Sequence, residues 1–90
     1  MNICKHYFIS GKVQGVFYRA STKAKADELG ITGWVRNCAN GDVEVMACGT
    51  VEQLAKLKQF LQQGPARAQV VNVIEESCEN KAFTDFRVLR

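Results

Sequence analysis

"GKVQGVFYR", residues 11–19, carries two glycines four positions apart, with valine, phenylalanine and tyrosine around them and one arginine at its close. A plain strand gains nothing from glycine used twice in so short a run, because glycine offers the sheet no side chain. A plain turn has no use for Val13, Val16, Phe17 and Tyr18 together. The stretch reads as a structured loop: free to bend at Gly15, anchored by apolar side chains, and closed by a cation at Arg19. What flanks it sets the fold.

Before it, residues 3–10 read as a strand with Ile3, Tyr7 and Ile9 on one face, interrupted by Lys5. After it, a helix is expected from Phe17 or Tyr18 to Leu29, built on Ala20, Ala24 and Ala26 and stopped by Gly30. Residues 31–38 read as a second strand with Ile31 and Val35 inward, and the Asn-Gly of "ANGD" (39–42) predicts a hairpin into a third strand at 43–48. Thr50 and Gln53 have capping-box spacing for a second helix, whose Leu54, Leu57 and Leu61 share a face with Phe60 beside it. Gly64 and Pro65 end it. A fourth strand is expected at about 68–77 and a short last one near 83–88, with Phe83 in it.

The order strand-helix-strand-strand-helix-strand, plus a final strand, is the split β-α-β pattern of ferredoxin-like α+β folds. The expectation is one domain over 1–90: an antiparallel sheet with two helices on one face. The first and second strands run parallel, with the third between them and antiparallel to both. Their ends then lie at one edge of the sheet. The glycine loop, the start of the first helix, Arg19 and Asn37 meet there although they are far apart in sequence.

Such a loop can aim several backbone N–H groups into one concavity, which suits an anion. Gly15 lets the backbone approach a ligand closely. The helix start adds a favourable dipole, and the Arg19 guanidinium can grip two phosphate oxygens. The loop reads as a cradle for a small phosphate, against the plainer reading of a simple turn. Neither the G-x-x-x-x-G-K-[ST] nor the G-x-G-x-x-G pattern is present.

The rest of the sequence narrows the partners. With 47% hydrophobic and 23% charged residues and a net charge of +3, the chain has the composition of a soluble protein with a mild bias toward anions. No apolar run approaches the roughly 20 residues of a membrane helix, and the first residues show no signal pattern. The expectation is a cytoplasmic monomer with no membrane or nucleic-acid partner. Cys4, Cys38, Cys48 and Cys78 have no C-x-x-C spacing, so neither a metal nor a redox motif is expected. Cys4 begins the first strand and Cys48 ends the third, both on the open sheet face, so a cross-strand disulfide between them is geometrically open; a reducing cytosol opposes it.

"GKVQGVFYR", followed by "LG-x-x-GWV-x-N" at 29–37, "NGDVEV" at 40–45 and "DFRV" at 85–88, resembles the acylphosphatase family over essentially the whole chain. The resemblance implies a hydrolase that splits a small acyl phosphate into a carboxylate and inorganic phosphate, with no metal, cofactor or covalent intermediate. It implies that Arg19 binds the phosphate together with the amides of Gln14, Gly15, Val16, Phe17, Tyr18 and Arg19. It implies that Asn37 holds the attacking water. It also places Arg90 where the family's chains end, within the set of groups that can orient Arg19.

The chemistry suits so sparse a set of residues. The carboxylate is already a good leaving group, so positioning and charge neutralisation carry the reaction. An amide such as Asn37 cannot serve as a base, but it can hold water as donor and acceptor. His6, on the other face of its strand, and Trp34 are expected to serve structure, and Lys56 and Lys58 a solvated helix face. Two other functions stand beside the enzyme. A nucleic-acid module would need stacking aromatics on the third strand, which "DVEVMACG" lacks. A phosphate-binding regulator without turnover would keep the cradle; similar domains also begin larger carbamoyl-transfer proteins.

Overall fold

The structure, a computed structural model, describes residues 2–89. Arg90 and any role for its carboxylate lie outside them. The elements are β1 (Ile3–Lys12), α1 (Tyr18–Leu29), β2 (Thr32–Asn37), β3 (Val43–Gly49), α2 (Val51–Gln63), β4 (Gln69–Ser77) and β5 (Phe86–Val88). They form one five-stranded sheet in the order β4-β1-β3-β2-β5. β1 and β2 flank β3 antiparallel to it, so the expected ferredoxin-like arrangement holds.

Two expectations need correction. The sheet is mixed rather than antiparallel, because β5 pairs with β2 in parallel. After β4 ends opposite Lys5, the chain crosses at the end of the sheet where β1 begins: Asn80 accepts from the Cys4 amide. It reaches β2 at that strand's start and can only run alongside it. For the same reason Phe83 belongs to the crossing segment, not to the last strand. The second correction concerns Gly11 and Lys12, which extend β1 against β4 past an irregularity at Ser10/Gly11. A Cβ on Gly11 would sit 2.1 Å from the Gln69 carbonyl oxygen, so glycine there serves strand pairing.

The main core lies between the sheet and both helices. Tyr7, Ile9, Val35, Val43, Val45 and Ala47 face Ala26, Leu54, Leu57 and Leu61. The alternation on β1 and β3 sets this face. α1 ends as its Gly30 signal predicts, in a left-handed cap. α2 begins with the expected capping box: Thr50 and Gln53 bond each other reciprocally. On the open sheet face a smaller cluster gathers Cys4, Met46 and Cys48, with Trp34, Cys78 and Phe83 against it. Cys4 and Cys48 are direct partners in the β1–β3 ladder, with Cα atoms 4.0 Å apart and their sulfur atoms joined.

Candidate active site

Ile9 and Asn37 both pair with Val43, one on each side of β3. This register puts the exit of β1 and the end of β2 at one edge of the sheet. The loop that follows Lys12 is held from beneath, since Val13, Val16 and Tyr18 are all buried. Gly15 and Phe17 take left-handed φ angles of 75° and 64°, with Val16 between them outside that region. Alternating the hand of successive residues turns neighbouring N–H groups toward one side. Among the described residues, no protein acceptor takes the amides of Gln14, Gly15, Val16 or Phe17. The first amides of α1 are open as well, because the helix has no side-chain cap and no acidic residue in its first turn.

Gly15 would place a Cβ where nothing lies within 4 Å, so the space above it is open. Phe17 is the only non-glycine residue with positive φ among those described, a conformation that costs about 1–2 kcal/mol. Its ring is 75% exposed at the rim. Tyr18 turns the other way: its hydroxyl donates to the Leu61 carbonyl at 2.7 Å, and burial pushes its phenol well above the ordinary value. Tyr18 thus ties the start of α1 to the end of α2, leaving only its amide toward the loop.

Arg19 stands one residue into α1. Its Nη1 donates to the Leu89 carbonyl at 3.0 Å, and the Leu89 amide donates to the Val35 carbonyl at 2.8 Å. The guanidinium is therefore steadied from β2. Asn37, at the end of β2, has a buried Oδ1 with no donor among the described residues. An unpaired buried carbonyl oxygen is rare and calls for a donor beyond the described residues, such as water. No group of three His, Cys, Asp or Glu side chains is placed to hold a metal ion among the described residues.

Three contacts around this edge are not evident from the sequence. The Gln14 side chain crosses to the β2–β3 hairpin and donates to the carbonyls of Cys38 and Asp42. Leu89 steadies Arg19. Behind Asn37, on the open face, Glu44 accepts from Arg36 Nε at 2.7 Å and pairs with His6. Burial works to raise the Glu44 pKa, but Arg36 and His6 outweigh it and hold the carboxyl below its ordinary value. Arg36 also lies over the Trp34 ring. The ladder pairing Arg36↔Glu44 follows from the hairpin register, so that contact was within reach of the sequence, whereas the His6 contact depends on how β1 lies against β3. The Gln14 bonds depend on the loop's path, which has no such rule. His6 and Trp34 sit on the face opposite the helices, where a structural role was expected.

The fold and this edge define an α+β protein with a loop of open amides and an adjacent buried amide side chain. The acylphosphatase family model matches residues 5–88. An acylphosphatase of Marinobacter nauticus is 53% identical over 83 residues, covering 91% of this chain and 90% of its own. One from Coxiella burnetii is 48% identical over 85 residues, covering 94% and 90%. The solved structure of an acylphosphatase from Coxiella burnetii superposes with a TM-score of 0.95 at 46% identity, covering 98% of this chain and 93% of that one. The chain belongs to the acylphosphatase family, and its enzyme type is that of an acylphosphatase, a hydrolase.

Proposed function

We propose that residues 1–90 act as one acylphosphatase domain that hydrolyses small acyl phosphates by direct attack of water on phosphorus. The phosphoryl oxygens sit on the amides of Gln14, Gly15, Val16, Phe17, Tyr18 and Arg19 and on the Arg19 guanidinium. These donors are fixed before the substrate arrives, so they stabilise the charge of the transferring group without reorganising. Asn37 holds a water in line with the acyl oxygen through its Oδ1. The water oxygen forms the new P–O bond, and the P–O bond to the acyl group breaks. Its electron pair leaves as the carboxylate. The water's proton passes to a phosphate oxygen of the substrate, since Asn37 does not titrate. The reaction requires no metal, cofactor or covalent intermediate.

One observation carries the reading. Among the described residues, a loop with unpaired amides is docked against the strand end where Asn37 keeps a buried, unpartnered oxygen. The physiological setting we propose is a monomer in the cytoplasm. Among the described residues, no helix is long and apolar enough to cross a membrane. Hydrolysis of benzoyl phosphate in the presence of EDTA tests the proposal. Turnover that persists with EDTA and collapses in both Arg19→Ala and Asn37→Ala supports it. Phosphate binding without turnover would make the domain a regulator instead.

A further inference from the structure

The two halves of the site stand on different elements of the chain, with the whole of α1 between them in sequence. The cradle belongs to the β1–α1 connection, and Asn37 belongs to β2. A difference of a fraction of an ångström between them changes the angle at which water meets phosphorus. Beside the tie from Arg19 through Leu89 to β2, the Gln14 side chain makes a direct hydrogen-bonded link across that gap: Nε2 donates to the Cys38 carbonyl at 2.9 Å and to the Asp42 carbonyl at 2.8 Å. Both acceptors sit in the hairpin that begins immediately after Asn37. That hairpin is itself closed by the Cys38 amide donating to Asp42 at 2.8 Å, so Gln14 grips a rigid unit.

The chemistry of the link is specific. Two carbonyl oxygens converge on one nitrogen, and an –NH2 group supplies two donors on one atom. A carboxylate of the same shape offers only acceptors. The loop needs no such link to keep its own shape, because Val13, Val16 and Tyr18 already bury it.

We infer that Gln14 is a positioning residue, acting through its side chain to hold the phosphate cradle in register with Asn37. This rests on the proposed hydrolase reading. It assigns the side chain a duty separate from that of the Gln14 amide. Binding of phosphate draws on the cradle alone; the attack of water draws on the alignment of cradle and Asn37.

The test compares wild type, Gln14→Met, Gln14→Glu, Asn37→Ala and the Gln14→Met/Asn37→Ala double variant. Benzoyl phosphate is the substrate, inorganic phosphate the inhibitor, and each variant's thermal unfolding is recorded. Misplacement of a catalytic group by about 1 Å can lower the rate on the order of 100-fold, so Gln14→Met is expected to lose tenfold or more in kcat. Its inhibition constant for phosphate is expected to stay within about twofold of wild type, as the cradle amides are untouched. Once Asn37 is gone there is nothing left to align, so the double variant is expected to be no slower than Asn37→Ala alone. Gln14→Glu is expected to be worst at neutral pH and to recover in acid, where a protonated carboxyl regains one donor.

A Gln14→Met enzyme with unchanged kcat overturns the inference. So does a phosphate inhibition constant that rises in step with the loss of kcat, or a double variant whose losses multiply. Absence of turnover in wild type overturns the hydrolase reading itself, a result distinct from all of these.

Discussion

Arg19 donates to the carbonyl of Leu89, a residue 70 positions away that is itself held to β2. The Arg19 guanidinium is thus aimed from the strand that carries Asn37. A lysine at this position keeps the charge and loses both the bidentate fork and the fixed direction. We expect Arg19→Lys to reduce kcat/KM for benzoyl phosphate on the order of 100-fold, the usual effect of losing one preorganised oxyanion donor. Steady-state kinetics checks this, and near-normal values would give the loop amides the dominant share.

The role proposed for Asn37 carries a cost in stability. Its Oδ1 is buried and unpaired among the described residues. Removing an unsatisfied buried acceptor returns about 1 kcal/mol or more of desolvation free energy, which offsets the lost packing of the side chain. Asn37→Ala is expected to abolish most turnover while unfolding at the same or a higher denaturant concentration than wild type. A clear loss of stability would mean that Asn37 is chiefly structural.

The glycines separate into two kinds. Gly33 pairs so closely with β3 that a Cβ would lie 1.9 Å from the Met46 carbonyl oxygen, at φ 139°. Gly15 has a left-handed φ but open space around its Cβ position. Gly33→Ala is expected to prevent stable folding. Gly15→Ala is expected to lose only about 1–2 kcal/mol of stability, from the left-handed backbone. Its methyl group projects into the open space at the cradle, so phosphate affinity is expected to fall more than stability does. Chemical unfolding and phosphate inhibition measured on the two variants check the contrast.

Glu44 gives the fold a defined acid response. Its folded pKa is lowered relative to the unfolded chain, so its contribution to stability is complete above the unfolded carboxylate value of 4.5. That contribution is lost as pH falls through the lower folded value. Glu44→Gln removes this dependence and leaves Arg36 and His6 without their anion. The variant is expected to be less stable than wild type at pH 7, with the difference shrinking in acid. A constant difference across pH would contradict the assignment.

Cys4 and Cys48 are 44 residues apart in sequence. In the chain-entropy account, a cross-link closing a loop of that size stabilises the fold by about 4 kcal/mol. Protein purified in air is expected to carry two alkylatable thiols, Cys38 and Cys78, and four after reduction. Reductant is expected to lower the unfolding midpoint. Four free thiols before reduction would show that the pair stays reduced.

Much of this was legible in the residues. Alternation along "VEVMACG" placed Val43, Val45 and Ala47 inward, and Gly30, Thr50 and Gln53 marked the helix ends where they occur. The parallel β5 was not legible, because direction depends on where the crossing segment touches the sheet, and "CENKAFTD" has no periodicity to show it. Gly15 and Arg19 pointed to the anion site proposed above. The left-handed Phe17 did not, since a bulky residue at positive φ runs against local preference and is held there by its buried neighbours. The Gln14 and Leu89 contacts were invisible for the same reason: they join segments whose meeting only the folded chain decides.

The central claim is attack on phosphorus by water aligned at Asn37. Its most direct test is hydrolysis of benzoyl phosphate in water labelled with heavy oxygen, with EDTA present, followed by mass analysis of both products. The account predicts one labelled oxygen in inorganic phosphate, none in benzoate, and little label in either product with Asn37→Ala beyond the uncatalysed background. Label in the benzoate carboxyl would place the attack on the acyl carbon and contradict the account.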